Sequence, residues 1–122
     1  MIEMEEVLPL DVFLSTANIK ISTTISVCNS ICWIINCLQD EGLRHGDMAL
    51  RNLWIDRNND EVGLLDFGLC ERYDAENQLY RDVDLLLLDI RRKILHPDAL
   101  TPVPESVLRT MLKNLSYSHP SK

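Results

Sequence analysis

The sequence lacks the basic surface of a protein that binds nucleic acid or an anionic membrane. Its formal net charge is −7, and its first 41 residues hold six acidic side chains against the single base Lys20. Only Arg91, Arg92 and Lys93 form a basic cluster, which on a helix is more typical of a solvated face. Binding to a polyanion depends on clustered Lys and Arg that displace counterions. We therefore expect no nucleic-acid partner.

The sequence also lacks a secretion signal and a long apolar run. It begins Met-Ile-Glu-Met-Glu-Glu, which places acid where a signal peptide needs base. Its longest apolar run, residues 25–38, contains four polar residues and is shorter than the ~20 residues that a bilayer requires. These absences predict an intracellular, cytoplasmic protein without a membrane span, in which this run is a core helix.

The cysteines form no C-x-x-C pair. Three of the four, Cys28, Cys32 and Cys37, lie on one predicted helix, and Cys70 stands apart. We interpret all four as reduced core thiols. Cys28 and Cys32 are one helical turn apart and could share a metal, but no cluster of His or Cys completes a zinc site.

The length and composition fit one domain over residues 1–122, with 46% hydrophobic residues to build a core. Helical spacing of apolar residues predicts a long helix over residues 23–41, with Ser22 or Thr23 as its N-cap and Gly42 as its stop. Two β-prone runs, Leu53 to Asp56 and Val62 to Leu65, predict a hairpin.

Helical patterns return over residues 82–118. A helix from Asp82 to Leu95 is apolar on most sides at its Leu85 to Leu88 run, which predicts an interior position. A further amphipathic helix is marked by the apolar residues Val107, Leu108, Met111, Leu112 and Leu115. These elements predict a mainly α fold with a small β-hairpin.

Two short motifs carry the chemistry. Residues 45–52 spell H-x-D-x-x-x-x-N, and residues 66–68 spell D-F-G after the predicted hairpin. Taken singly, each is better explained by turn or capping residues. Together, in this order and with a strand-turn-strand between them, they resemble the catalytic loop and metal-binding motif of the protein-kinase-like superfamily. The resemblance covers residues 1 to about 95 and implies a C-terminal kinase lobe of the α+β type, with catalytic loop, hairpin and DFG over residues 43–68.

The resemblance implies a role for each polar residue of the motifs. Asp47 would accept or orient the proton of the substrate hydroxyl, and Arg51 would contact the transferring phosphate or that hydroxyl. Asn52 and Asp66 would hold Mg²⁺ against the phosphates of ATP, since hard cations prefer oxygen ligands. The implied cofactors are ATP and Mg²⁺, and the implied partners are ATP and a hydroxyl substrate.

Other residues would support this site. His45 would brace the loop against Phe67, and Gly68 would let the chain turn. Asp82 or Asp84 would be the buried Asp that accepts hydrogen bonds from the backbone of the catalytic loop, and of the two we favour Asp84.

The nucleotide would lie against the start of the chain. Residues 1–8 resemble the strand and hinge that join the two lobes, so the backbone near Glu5 and Val7 would meet the adenine. Trp54 stands two residues after Asn52, where the family places an apolar side chain under the adenine ring. Trp54 fits equally well as a strand residue that fills the core.

The sequence departs from the family in two places. It contains no Gly-rich loop, no V-A-I-K Lys and no helix Glu to pair with that Lys. Alone, the chain is therefore expected to bind Mg-ATP weakly and to transfer phosphate slowly or not at all, with an N-lobe supplied by missing upstream sequence. Only 13 residues separate Gly68 from Asp82, without an A-P-E motif. This shortness, and the H-G-D triplet at residues 45–47, resemble aminoglycoside and choline kinase relatives.

Three functions remain open from the sequence. The first is a kinase-like phosphotransferase acting on a protein or a small molecule. The second is a truncated pseudokinase that serves as a scaffold or interaction module. The third is a decayed gene copy of marginal stability, whose exposed cleft surface favours association. The sequence leaves open the substrate and whether the chain is an active enzyme.

Overall fold

The computed structural model describes residues 7–16, 19–58, 61–64, 71–72, 82–97 and 102–118. In chain order these residues form β1 (Val7–Pro9), α1 (Leu10–Leu14), α2 (Ile21–Asp40), β2 (Leu43–Arg44), a 3-10 turn (Leu50–Asn52), β3 (Leu53–Asp56), β4 (Glu61–Leu64), β5 (Glu71–Arg72), α3 (Asp82–Leu95) and α4 (Glu105–Ser118). The fold is mainly helical with small antiparallel sheets, as the sequence predicts.

The predicted hairpin is present and belongs to a three-stranded sheet of order β1-β3-β4. Leu53 pairs with Leu64 at one end of the hairpin. The second strand, β4, begins at Glu61, one residue earlier than predicted. The third strand, β1, was expected to end before Pro9. Pro9 instead pairs with Trp54 as the last residue of β1, an edge strand that tolerates a missing N–H donor.

The long helix α2 begins earlier than predicted. Its N-cap is Lys20, so the expectation of Ser22 or Thr23 was wrong, and both lie inside the first turn. The carbonyl oxygen of Lys20 accepts the first helical bond from the main-chain N–H of Thr24 at 3.1 Å, and it also accepts the Thr24 hydroxyl at 3.2 Å. Gly42 ends the helix as predicted, because its φ of 71° is one that glycine adopts at little cost.

The helix α2 has 20 residues and is therefore longer than the apolar run at residues 25–38 on which the expectation of no membrane span was based. By length and apolar composition alone it could cross a bilayer, and 39% of its most apolar window is buried. Core helices and signal sequences meet the same criterion, so this is weak evidence for a span. One face of α2 packs against α4 and β4; the buried residues are Thr24, Val27, Cys28, Ile31, Cys32, Ile34, Ile35 and Leu38.

The helix α3 has the predicted bounds but is less buried than predicted. It presents Leu86, Leu87 and Ile90 to the core, where α4 packs against it. Leu88 is 48% exposed, and Leu85 is half-buried. The expectation of a helix buried on most sides was therefore wrong, and within the described part of the chain α3 has an open face.

The described cysteines are free thiols, as predicted. Cys28 and Cys32 are buried and Cys37 is half-buried, whereas Cys70 lies outside the described residues. Burial, with a smaller contribution from neighbouring Cys32, raises the pKa of the Cys28 thiol to about 12. Within the described ranges, no group of three or more His, Cys, Asp or Glu side chains could hold a metal ion.

Candidate active site

The segment with the H-x-D-x-x-x-x-N pattern connects α2 to the sheet. It leaves β2, passes through an extended loop and enters β3 by the 3-10 turn. Met48, Ala49 and Leu50 are each at most 3% exposed and fasten the loop to the core. The side chain of Asp47, just before them, is 58% exposed. The fold therefore holds the loop by its apolar residues and presents the aspartate to solvent.

The buried carboxylate that fixes this loop belongs to Asp82, the first residue of α3. Its Oδ2 accepts the main-chain N–H of His45 at 2.8 Å, and its Oδ1 accepts that of Gly46 at 2.9 Å. Asp82 is 3% exposed, whereas Asp84 lies on the exposed side of α3. The preference for Asp84 was therefore wrong. Successive residues of a helix point in directions about 100° apart, so a position two residues away cannot reach the same partners.

His45 links the anchored and exposed parts of the loop. It is 2% exposed, and its Nδ1 accepts the main-chain N–H of Asp47 at 3.2 Å. Nδ1 is the acceptor in this bond, and the bond fixes the backbone that carries the Asp47 carboxylate. The predicted contact between His45 and Phe67 involves a residue outside the described part of the chain.

The carboxylate of Asp47 is held by two neighbouring side chains. Nη2 of Arg51 donates to both of its oxygens, at 3.1 and 3.0 Å. Nδ2 of Asn52 donates to Oδ2 at 3.1 Å and to the main-chain oxygen of Asp47 at 2.7 Å. The structure thus brings together three of the predicted site residues, Asp47, Arg51 and Asn52. The 3-10 turn places Arg51 and Asn52 on the side of the loop where Asp47 lies.

A second carboxylate on α3, which the sequence analysis did not identify, also supports the loop. Oδ2 of Asp89 accepts the main-chain N–H of Leu50 at 3.0 Å, and its Oδ1 lies 3.9 Å from Nζ of Lys93. A signal for Asp89 does exist in the sequence. It follows Asp82 by seven residues, or two helical turns, and therefore lies on the same face of α3.

A shallow depression of about 170 Å³ opens beside Asp47. The loop with the H-x-D-x-x-x-x-N pattern forms one wall and α3 the other; the lining residues are Asp47, Met48, Ala49, Arg51, Leu85, Leu88, Asp89 and Arg92.

The predicted nucleotide residues that are described lie on the sheet. Val7 pairs with Asp56, and Trp54 belongs to the same strand face as Asp56, opposite the buried Leu53 and Ile55. Trp54 is half-buried, and its ring packs directly over Gly63. The core-filling interpretation of Trp54 is thus wrong, because its ring lies on the sheet face away from the core.

Four predicted site residues lie outside the described part of the chain: Glu5, Asp66, Phe67 and Gly68. The proposed metal pair of Asn52 and Asp66 therefore stays a prediction, as does the contribution of Glu5 to the hinge.

A loop on which the Arg51 and Asn52 side chains both bind Asp47, between a long helix and a hairpin, is consistent with a kinase-like fold of the α+β type. A sequence model of the family described as protein tyrosine and serine/threonine kinase matches residues 2–91. The chain belongs to this kinase family. Comparisons with curated proteins and with solved structures gave no match.

Proposed function

We propose that the chain supplies the catalytic-loop half of an ATP-dependent phosphotransferase, acting inside the cell on a hydroxyl group. One observation carries this proposal. The exposed carboxylate of Asp47 is oriented by Arg51 and Asn52 on a loop whose backbone is bonded to buried Asp82. Phosphoryl transfer depends chiefly on positioning and charge, and a carboxylate held before the substrate arrives meets that need.

Asp47 would bind the acceptor hydroxyl and take its proton. A carboxylate has about four acceptor positions. Within the described residues, Oδ1 accepts only the bond from Arg51, while Oδ2 accepts bonds from Arg51 and Asn52. Oδ1 is therefore the oxygen with room for an incoming hydroxyl. The guanidinium of Arg51 lies close enough to the base to attract the negative charge of a phosphoryl group.

Asn52 has the free oxygen that a magnesium ligand needs. Both of its described side-chain bonds are made by the amide nitrogen, which leaves Oδ1 without a partner among the described residues. An amide oxygen suits Mg²⁺, and Asp66 would supply the carboxylate beside it. When bound, Mg-ATP supplies the phosphoryl group and neutralises charge on its oxygens. The half-buried sheet face with Val7 and Trp54 would receive the adenine, together with the backbone near Glu5.

The binding test is calorimetric titration of Mg-ATP into the 122-residue chain. We expect saturable, weak binding that requires Mg²⁺, is lost in Asp66→Ala and Asn52→Ala, and is kept in Asp40→Ala, a matched exposed carboxylate at the end of α2. Weakness is expected because the sequence has neither a Gly-rich loop nor a V-A-I-K Lys. A folded chain that binds no nucleotide, or binds it equally without Mg²⁺, would contradict the proposal.

Transfer itself is tested with radiolabelled ATP. Asp47→Asn keeps the shape of the side chain and removes the base, so it should abolish transfer while leaving Mg-ATP binding unchanged. Measurable transfer by the wild type that Asp47→Asn retains in full would exclude Asp47 as the base, and no transfer by a wild type that binds Mg-ATP would contradict the proposed transfer.

The second candidate is a non-catalytic kinase lobe that acts as a scaffold. It is favoured by the same missing Gly-rich loop and Lys. In that case, Asp47→Ala would leave the set of proteins labelled by a proximity-labelling fusion in cells unchanged, whereas charge reversals on the exposed surface would alter it.

A further inference from the structure

The depression beside Asp47 combines apolar surface with charged groups, some of which already have partners. Leu88, 48% exposed, and half-buried Leu85 form its apolar part. They stand one helical turn apart on α3, and Arg92 follows one turn after Leu88. The depression thus offers an acceptor hydroxyl one approach to exposed Asp47, over this face of α3.

Three of the four charged groups around the depression already have partners. Asp47 and Arg51 bind each other, and Asp89 binds the N–H of Leu50 and lies near Lys93. Arg92 is exposed and makes no side-chain hydrogen bond or ion pair with any described residue. The charge available to a ligand here is thus one guanidinium, which is suited to a carboxylate or phosphate.

The size of the depression indicates what kind of ligand it takes. Sites that enclose a whole small molecule usually measure about 300–1,000 Å³, whereas this depression has about 170 Å³. It has room for a few side-chain groups of a chain that lies across the surface, not for an enclosed metabolite.

We propose that this depression receives the acceptor segment of a peptide and that Arg92 selects segments with an acidic residue beside the hydroxyl. The proposal rests on the proposed function, since it makes Asp47 the point that the hydroxyl must reach. Leu85 and Leu88 would contact the aliphatic part of the acidic side chain, and Arg92 would pair with its carboxylate.

The overall charge of the protein opposes the binding of an acidic peptide. With a net charge of −7 the chain attracts basic peptides and repels acidic ones at long range. A preference for an acidic peptide must therefore come from local contacts. Without such a site, the lysine-rich peptide should bind most tightly.

The test is fluorescence anisotropy with three labelled nonapeptides, measured without nucleotide. Each peptide has a central serine with two variable residues on either side of it. These four residues are all Glu in the first peptide, all Gln in the second and all Lys in the third. We expect the Glu peptide to bind roughly five- to tenfold more tightly than the Gln peptide, as for one charge-assisted pair at a partly exposed site. Arg92→Gln should remove this difference. Arg91→Gln, an exposed arginine of α3 outside the depression, should leave it intact.

Several results would overturn the inference. These are tightest binding of the Lys peptide, equal losses in Arg91→Gln and Arg92→Gln, or no binding of any peptide by the folded chain. Because the assay contains no ATP, its failure is separate from failure of the proposed phosphoryl transfer. Conversely, peptide selection by Arg92 in a chain that does not bind Mg-ATP would refute only the transfer proposal.

Discussion

Asp82 and His45 are joined by a buried hydrogen bond of 2.8 Å between the Asp82 carboxylate and the His45 main chain, across 37 residues of sequence. A second bond to Gly46 uses the other carboxylate oxygen. The aspartate opens α3, where the positive end of the helix dipole favours its negative charge. This pair of bonds makes the position of the loop that carries Asp47 depend on the packing of α3.

Removing the Asp82 carboxylate should destabilise the protein strongly. Asp82→Ala leaves two loop N–H groups without their acceptor, which should lower the free energy of unfolding by about 2–4 kcal/mol. Asp82→Asn keeps one acceptor oxygen and should cost less. The measurement is urea unfolding followed by circular dichroism. Asp84→Ala is the control, with an expected loss below about 1 kcal/mol. Equal losses at positions 82 and 84 would contradict the assignment.

Loss of Asp89 should loosen the 3-10 turn that follows Asp47. Asp89→Ala removes the acceptor of the Leu50 N–H, so we expect a destabilisation of about 1–3 kcal/mol and faster hydrogen exchange at that amide. Lys93→Met removes only a contact of 3.9 Å and should cost less than about 1 kcal/mol. Unchanged exchange at Leu50 in Asp89→Ala would show that the bond does not hold the turn.

A methyl group at position 63 should displace the indole of Trp54. A Cβ added to Gly63 would overlap the six-membered ring of Trp54, so Gly63→Ala should lower stability by about 1–3 kcal/mol. In a Trp33→Phe background, the emission of Trp54 should shift as its ring becomes more exposed.

The matched control introduces Gly63→Ala into a Trp54→Leu background. There Gly63→Ala should lower the free energy of unfolding much less, because a smaller side chain faces the added methyl group. Additive losses in the double-mutant cycle would mean that Gly63 and Trp54 do not interact.

The Cys28 thiol should contribute stability that disappears at alkaline pH. In the folded protein its pKa is raised to about 12, against 9.0 when exposed, so the unfolded chain loses this proton first. The contribution is complete below pH 9 and is lost as the pH rises from about 9 towards 12, by up to about 1.4 kcal/mol per pH unit.

The measurement compares unfolding of the wild type and of Cys28→Val between pH 7.5 and 10. Valine has a similar volume and does not titrate, so the variant should lose about 1.4 kcal/mol less over this range. The same pH dependence in both proteins would refute the assignment to Cys28.

Local patterns in the sequence identified which helices are present more accurately than they located the residue at which each helix begins. The helical period found α2, α3 and α4, and Gly42 marked the end of α2, because these signals depend on neighbouring residues. The start of α2 was misplaced by preferring hydroxyl caps. Lys20 takes that position instead, because its extended backbone lets its carbonyl accept the first helical bonds.

The motif spacing likewise placed Asp47, Arg51 and Asn52 together, since a contact over four or five residues is decided by local geometry. The sequence by itself therefore determined the family and the chemical groups of the loop. Tertiary packing decided which α3 carboxylates hold that loop, because helix orientation selects Asp82 and Asp89 and turns Asp84 outward. It also decided that Arg92 and Leu88 lie beside Asp47. Such contacts join residues about forty positions apart, and no local pattern specifies which face of a helix a distant loop will meet.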